Sequence, residues 1–486
     1  MKVGIPAKLF YSFAAMLFNS YSFLFLFLPL TLLGYYLITK KNLQLWFLFF
    51  SSVVFYAYWS KTYVFLLLFT VALDFYLAKG IYYARTQRMR KGLLLTSVIS
   101  NLSILGFFKY YNFFAESVNG VFQGAGVSQE MLPHLALVLP IGISFYTFQS
   151  MSYVIDVYRK TSDAHANLLE FAGYVTLFPH QISGPLVRHN VIVPQLEASE
   201  TYFFKAENFW KGCYFFIFGL TKKMLVADRL AIVIDPMIGS MAQLSTGEAW
   251  LAMVGYTMQL YFDFSGYSDM AVGLGLMMNI QFPQNFNSPY KAKSITEFWQ
   301  KWHISLSAWL RDYLYISLGG NRAGKLKTYR NLFLTMVIGG LWHGAAWTYV
   351  VWGCMHGGLL LIERFFTNRG WDIFRFKHLK WGLTFLAVNV AWVFFRAPDL
   401  HTAGLWLSKV FMLNGDVSWD VMFIATKHKD RFFAALALAL PIALFARNTW
   451  EIKFKPTAWR VLLLAFMFVI CLTYMGEESP FLYFQF

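Results

Sequence analysis

Two histidines of this chain have the residue type and the surroundings for proton-transfer chemistry. His343 follows Trp342 in the glycine-rich stretch 339–346, inside the apolar run from Leu332 to Leu361, and His303 follows Trp302 forty residues earlier. A neutral imidazole near pH 7 can accept the proton of a hydroxyl group while that hydroxyl attacks an ester or thioester carbonyl. Ionisable side chains inside apolar segments are rare unless they face a cavity or take part in chemistry. The pair is therefore the first candidate for a catalytic site.

For either Trp-His pair alone, a packed core histidine is the favoured alternative, but two such pairs together favour chemistry. Desolvation would hold His343 neutral, which suits a general base. The small residues around it, such as Gly340 and Gly344, leave room for a substrate or for a close helix. His356 would lie about 20 Å further along a continuous helix. We therefore expect His356 to be structural or to line a separate part of the path.

The segment that carries His303 is predicted to be an amphipathic helix. Ser294 can cap it, and Glu297 stands three residues on, as in a capping box. Apolar residues recur at helical spacing from 295 to 310. On a continuous helix one polar stripe would consist of Gln300, His303, Ser307 and Arg311. Such a helix lies at an interface or in a cavity, so this stripe and the tryptophans Trp302 and Trp342 are candidate substrate-lining residues.

Two carboxylates and a short polar run belong to the same constellation. Asp263 and Asp269 lie in an apolar stretch and need partners. They could orient a histidine, bind a basic side chain or cap a broken helix at Gly266, and we favour a structural or supporting role. Asn287 and Tyr290 lead directly into the His303 segment, so we expect them near the same cavity.

The segment 177–185 interrupts the helical pattern with two prolines and a glycine. Proline removes a backbone donor and clashes with the preceding turn, so a straight helix cannot continue through it. A broken or re-entrant segment is predicted, with an interfacial loop as the alternative. His180, inside it, is assigned a structural or supporting role.

The composition indicates a membrane protein. The chain of 486 residues is 58% hydrophobic and 14% charged, whereas soluble proteins carry about 25% charged residues. Apolar runs near the length needed to cross a bilayer, about 20 residues, recur throughout. We predict an all-α polytopic protein that forms a single domain over 1–486, with the motifs at 170–400. Residues 1–15 are expected to be an extension or a start-site artefact before Met16. About 11 transmembrane helices are expected, at 22–38, 45–58, 62–80, 93–114, 133–155, 209–227, 248–278, 331–362, 381–396, 432–447 and 459–475.

The formal net charge of +16 does not indicate nucleic-acid binding, because the basic residues fall in short loops. Positive loops of this kind face the cytoplasm and contact anionic lipid, and attraction of an anionic donor such as a coenzyme A is the alternative. No metal site is expected, and Cys213, Cys354 and Cys471 are assigned no chemistry. The loops contain Arg85, Arg88, Arg90 and Lys91; Arg322, Lys325, Lys327 and Arg330; and Arg364, Arg369, Arg375, Lys377 and Lys380.

At these motifs the chain resembles the membrane-bound O-acyltransferase family over about residues 20–400. The matching parts are 178–185, 261–269, 286–322 and 339–344. Within the family it is most similar to the bacterial branch of alginate O-acetylation and teichoic acid D-alanylation. The resemblance implies a ring of helices around a thin centre with a tunnel. It also implies that His343 corresponds to the near-invariant family histidine and His303 to the second position.

The mechanism that the resemblance implies starts from a cytoplasmic acyl thioester, with acetyl-coenzyme A as the expected donor. His343 would act as the base, and His303 would position a reactant and steady developing charge. Acetyl would pass to an extracytoplasmic lipase-like (SGNH) partner and on to an exopolysaccharide or cell-wall glycan, from an enzyme in the bacterial inner membrane. A transporter with a histidine proton relay is a rival, although the chain lacks the internal symmetry of many transporters. Lipid or D-alanyl transfer on the same fold is a second rival.

Overall fold

The computed structural model describes residues 16–475 and 482, except for 128, 166, 323, 372–375, 414–416, 421–428 and 454. The predicted extension 1–15 and Arg375 of the third basic loop lie outside the described residues. Within the described part the secondary structure is helical, at 76% of residues with no strands. The all-α prediction is therefore confirmed.

The chain forms two compact units, each built from two separate stretches of the sequence. One comprises Met1–Phe216 with Met270–Phe282, and the other Ile217–Asp269 with Pro283–Phe486. The α-helices that begin in the first unit are α1 Leu28–Leu37, α2 Lys41–Trp59, α3 Tyr63–Tyr83, α4 Gln87–Leu105, α5 Tyr111–Gly124, α6 Ile143–Arg159, α7 Leu168–Thr176, α8 Phe178–Gln181, α9 His189–Glu197 and α10 Ala206–Thr221.

The remaining α-helices begin in the second unit. They are α11 Asp228–Gly239, α12 Thr246–Met277, α13 Ile295–Lys301, α14 Ile304–Trp309, α15 Lys325–His343, α16 Trp347–Asn368, α17 Lys377–Arg396, α18 Leu400–Val410, α19 Lys429–Leu444 and α20 Ala458–Tyr474. Short π-helical stretches occur at Phe23–Phe27, Gly106–Tyr110, Lys222–Ala227 and Leu310–Tyr315, and 3₁₀ turns at Ser199–Tyr202, Met241–Gln243 and Pro289–Lys291.

Helix α3 shows the inside-out distribution expected of a helix in lipid. Phe65 and Phe69 are 75% and 58% exposed. The opposite face buries Leu67 together with Asp74, whose carboxylate accepts hydrogen bonds from Ser97 and Asn101 on α4. A lipid-facing side needs no polar cover, whereas a buried carboxylate needs donors.

Fewer helices meet the length and hydropathy expected of a bilayer span than the sequence suggested. Among the described residues three do so, Tyr63–Tyr83, Gln87–Gly124 and Lys377–Arg396. Phe23–Leu37 and Ala458–Tyr474 are apolar but shorter. The count of about 11 spans and the ring around a tunnel therefore stay predictions.

The proline-containing segment 177–185 is broken, as predicted. Helix α7 ends at Thr176, and α8 continues for only four residues with proline in its first turn. The imidazole Nε2 of His180 lies 3.0 Å from the carbonyl oxygen of Tyr174, and the side chain is buried. Gly142 (φ +70°) caps α6 against this turn, because a Cβ there would stand 2.6 Å from the carbonyl oxygen of Gln181.

The predicted single span 331–362 is wrong, because two helices form a hairpin there. Helix α15 ends at His343, residues 344–346 turn the chain, and α16 begins at Trp347. Glycine permits the close approach, since a Cβ on Gly340 would stand 2.3 Å from the carbonyl oxygen of Tyr349, and one on Gly344 would overlap the Tyr349 ring. The small residues around His343 therefore admit a close helix, one of the two alternatives that the sequence left open.

Candidate active site

His303 lies at a break between two short helices in the second unit. Helix α13 ends at Lys301, Trp302 is extended, and α14 starts at Ile304. His303 itself is left-handed, with φ 44° and ψ 54°, a conformation that costs a non-glycine residue about 1–2 kcal/mol. The continuous amphipathic helix predicted from the spacing is therefore wrong. Backbone bonds from Trp302 N to the Phe298 oxygen and from Ile304 N to the Asn285 oxygen hold the turn.

The predicted cap of this segment forms with one change of partner. The Ser294 hydroxyl accepts a hydrogen bond from Glu297 N, as expected of an N-cap. The Glu297 carboxylate reaches back to Lys293 N instead of the N-cap nitrogen, and it also binds Lys301 on the next turn. These bonds lower the pKa of Glu297, although its partial burial opposes them. Both ends of α13 are therefore fixed by its own side chains.

Asn285 fixes the proton of the His303 ring. Its side-chain oxygen accepts hydrogen bonds from the backbone nitrogen of Ser305 at 3.2 Å and from the Ser305 hydroxyl at 2.9 Å. A backbone N–H can only donate, so the atom facing it is the amide oxygen. His303 Nδ1 lies 3.2 Å from that same oxygen and must carry a proton to donate to it. In the neutral ring the lone pair is therefore on Nε2.

Burial keeps His303 neutral. The side chain is 0% exposed, and desolvation lowers its pKa to about 3. Phe264 packs edge-on at 4.7 Å between ring centroids. A neutral imidazole with a fixed tautomer presents a hydrogen-bond acceptor at Nε2 across the physiological pH range.

His343 is the last residue of α15 and lies beside His303. The two ring centroids are 6.5 Å apart, and Trp342 lies 6.3 Å from His303 and 5.1 Å from His343. The carbonyl groups at a helix C terminus carry partial negative charge. That charge favours a positive ring, so it would stabilise an imidazolium at this position.

Aromatic rings enclose the histidine pair. Trp352 and Phe395 lie 5.1 Å and 5.2 Å from His343, and His343 is only 4% exposed. Walls of this kind exclude water, and they strengthen electrostatic interactions inside the site.

His356 is closer to the pair than a continuous helix would allow. The hairpin folds α16 back along α15, and one ring, Trp352, contacts both His343 at 5.1 Å and His356 at 4.8 Å. Trp299 donates its indole N–H to His356 Nδ1 at 3.2 Å. The expectation of about 20 Å of separation is wrong because residues 344–346 are not helical.

Three of the residues that were expected to line the cavity have different surroundings. Trp302 is buried, with its ring 4.9 Å from Trp392. The Tyr290 ring lies 6.1 Å from Trp302, but its hydroxyl donates to the Thr257 carbonyl oxygen. The side-chain oxygen of Asn287 accepts a hydrogen bond from Asn448. Tyr290 therefore supports the site indirectly, and Asn287 ties two segments together.

The polar stripe does not form, because the break at His303 changes the helical register. Gln300 is exposed. The Ser307 hydroxyl donates to the Trp302 carbonyl oxygen. Arg311 is exposed and pairs with its neighbour Asp312 at 2.6 Å.

The carboxylates of α12 bind basic side chains, one of the three alternatives that the sequence left open. Lys223 lies 2.8 Å from Asp263 and 2.5 Å from Asp228, all of them buried. Lys222 pairs with Asp269 at 2.5 Å. Helix α12 continues through Gly266, so the broken-helix alternative is wrong. Losing one partner of such a buried pair typically costs about 3–5 kcal/mol.

Sequence reasoning missed Asn285 and the aromatic wall. Asn285 and Asn287 look equivalent in the sequence, and only the fold shows that the first of them faces His303. Trp352 and Phe395 look like ordinary apolar helix residues. Over the part of the chain that the structure describes, no three histidine, cysteine, aspartate or glutamate side chains are grouped as metal ligands.

Comparison with known proteins gives the family. Residues 54–398 match the family model of the membrane-bound O-acyltransferases. The chain belongs to this family. It is accordingly an O-acyltransferase.

Three proteins that are similar in sequence to this chain are named for their activities. The chain is 44% identical to the probable alginate O-acetylase AlgI of Pseudomonas putida, over 97% of this chain and 100% of the relative. The peptidoglycan O-acetyltransferase of Helicobacter pylori is 38% identical, over 82% of this chain and 80% of the relative. The teichoic acid D-alanyltransferase of Bacillus subtilis is 29% identical, over 51% of this chain and 63% of the relative. Their names describe O-acetylation of alginate, O-acetyl transfer on peptidoglycan and D-alanyl transfer on teichoic acid.

Proposed function

We propose that this O-acyltransferase moves an acetyl group from cytoplasmic acetyl-coenzyme A through the inner membrane to a hydroxyl of an exopolysaccharide or cell-wall glycan. The observation that carries the proposal is the buried pair of His303 and His343, 6.5 Å apart. The names of the relatives support acetyl as the group and a glycan as the acceptor.

The two histidines have different roles in this proposal. His343 takes the proton of the acceptor hydroxyl as its oxygen bonds to the thioester carbonyl carbon, and the helix C terminus stabilises the resulting imidazolium. His303, neutral and held by Asn285, accepts a hydrogen bond at Nε2 and so positions the hydroxyl. When the carbon–sulfur bond breaks, the thiolate takes up the proton from His343, which restores the neutral pair.

The route on either side of the site is also part of the proposal. Basic loops facing the cytoplasm attract the phosphates of coenzyme A. A central tunnel brings the acyl group to the histidines, and a lipase-like (SGNH) acetyltransferase outside the membrane passes it to the glycan. The rival donor is a D-alanyl thioester, which the more distant D-alanyltransferase relative favours.

Turnover with labelled acetyl-coenzyme A tests the proposal. We expect purified protein in proteoliposomes to release coenzyme A when a glycan acceptor and the partner are supplied. His343→Ala should lower the rate by about 10³-fold or more, since it removes the base. The matched control is His401→Ala, an exposed histidine on α18 that should keep full activity.

Two outcomes would contradict the assignments. Equal rates for His343→Ala and wild type would exclude His343 as the base. Turnover of a D-alanyl thioester, with none of acetyl-coenzyme A, would exclude acetyl transfer in favour of D-alanylation.

A further inference from the structure

Two of the buried nitrogen atoms near the histidine pair that have no hydrogen-bond partner among the described residues lie on neighbouring rings. They are the indole Nε1 of Trp352 and the imidazole Nε2 of His356, and both side chains are fully buried. The two rings are 4.8 Å apart, and Trp352 also contacts His343 at 5.1 Å. A buried donor without an acceptor destabilises the fold. Two in one cluster next to the catalytic pair therefore indicate that an acceptor group binds there.

The hydrogen bond from Trp299 determines what His356 can offer. An indole can only donate, and Trp299 Nε1 donates to His356 Nδ1 at 3.2 Å. Nδ1 therefore carries the lone pair, and the proton of the neutral ring is on Nε2. His356 consequently carries an unpartnered N–H donor at Nε2, and the neighbouring Trp352 carries another at Nε1.

We propose that Trp352 Nε1–H and His356 Nε2–H bind the carbonyl oxygen of the acyl thioester and stabilise the negative charge that it gains during transfer. This inference rests on the proposed function. As the hydroxyl oxygen bonds to the carbonyl carbon, the π pair of the carbonyl moves to its oxygen and the hydroxyl proton goes to His343. When the carbon–sulfur bond breaks, that pair re-forms the carbonyl, and the thiolate leaves and receives the proton. Donors fixed in place before the reaction stabilise such an oxyanion strongly.

The surroundings fit a small uncharged acyl carbonyl better than a full anion. Trp392 stacks on Trp352 at 5.7 Å and Phe395 packs against it at 5.3 Å. Both donors are neutral, and a bound carboxylate or phosphate would need a compensating charge in so apolar a place. A thioester carbonyl oxygen gains negative charge only during acyl transfer, and two neutral N–H donors can stabilise that transient charge.

Analogues with and without the carbonyl oxygen test the inference independently of turnover. Acetyl-dethia-coenzyme A, with CH₂ in place of sulfur, keeps the carbonyl. S-ethyl-coenzyme A, with CH₂ in place of C=O, lacks it. We expect wild-type protein to bind the ketone more tightly. Trp352→Phe and His356→Leu should bring the affinity ratio close to one and leave the affinity for the thioether unchanged.

Catalysis gives the second readout. Removing one oxyanion donor typically lowers kcat about 10²–10³-fold, so Trp352→Phe should lower kcat on the order of 100-fold with a smaller change in KM. His356→Gln keeps an N–H near the Nε2 position and should retain more activity than His356→Leu. Trp406→Phe is the matched control, because the Ala249 carbonyl oxygen already accepts from that buried indole.

The outcomes separate this inference from the proposed function. Active wild-type protein whose affinity ratio and kcat survive both Trp352→Phe and His356→Leu would overturn the inference alone. If Trp352→Phe fails to fold, equal ratios for His356→Gln and His356→Leu would overturn it. Wild-type protein that neither turns over acetyl-coenzyme A nor binds its analogues would overturn the proposed function and this inference with it.

Discussion

At the scale of single residues, the site depends on which nitrogen of each histidine carries a proton. Asn285 places the His303 proton on Nδ1, and Trp299 places the His356 proton on Nε2. One ring therefore offers an acceptor and the other a donor. The sequence predicted that His303 and His343 belong together, but it could not predict these protons. They depend on contacts between side chains that the chain brings together only on folding.

A carboxylate in place of Asn285 should change the pH dependence of activity. In Asn285→Asp the new charge faces His303 Nδ1, favours the imidazolium and raises the His303 pKa from about 3 by about 1–3 units. Activity needs the neutral ring in our proposal, so the acid limb of kcat against pH should move to higher pH. Asn287→Asp makes the same change at a side chain that faces Asn448 and should leave the limb in place. Equal acid limbs for both variants would exclude the role given to Asn285.

At the scale of elements, two interruptions of helices form the site, and the apolar spacing of the sequence predicted neither of them. Apolar spacing predicts a helix through 295–310 and another through 331–362. In the structure the first breaks at the left-handed His303 and the second turns back after His343. The first break places His303 between two helices, the second places His343 at a helix end, and the two rings lie 6.5 Å apart. The sequence did predict the cap at Ser294 and the break at 177–185, because serine and proline act through their own backbone neighbours.

Adding one methyl group should test the α15–α16 hairpin. A Cβ on Gly340 would stand 2.3 Å from the carbonyl oxygen of Tyr349, so Gly340→Ala should destabilise the protein by about 1–3 kcal/mol. Gly358, also on α16, has nothing within 4 Å of such a Cβ. Gly358→Ala should therefore leave the stability unchanged or raise it by up to about 1 kcal/mol. Thermal unfolding in detergent measures both, and equal melting temperatures would contradict the close packing.

At the scale of the whole molecule, composition was enough to predict a helical membrane protein but not the number of its spans. Buried polar side chains such as Asp263 and Lys223 lower the mean hydropathy of the segments that carry them. Length and hydropathy alone then select three helices among the described residues. Lipid contact is better read from exposed rings such as Phe65 and Phe69 on α3.

Acid should destabilise the fold through its buried neutral histidines. Burial is the main cause that lowers the pKa values of His189 and His303 to about 3 each, from 6.5. Between pH 6.5 and 3 the unfolded chain binds protons that the folded chain does not, so stability falls as pH falls. Each of these histidines contributes up to about 1.4 kcal/mol per pH unit. The melting temperature should drop between pH 7 and pH 5, and less so in His189→Gln; a flat profile would contradict neutral burial.

The polar part of the site comes from one contiguous stretch of chain, with a consequence for biosynthesis. Asn285, His303, His343 and His356 all lie between residues 285 and 356, and the first two are only 18 positions apart. Short separations make loop closure entropically cheap. As the chain leaves the ribosome, its hydrogen-bonded histidines can assemble first. Phe395 and Trp392 on α17 are synthesised only afterwards, so this part of the aromatic wall packs against a stretch that already contains all four polar residues.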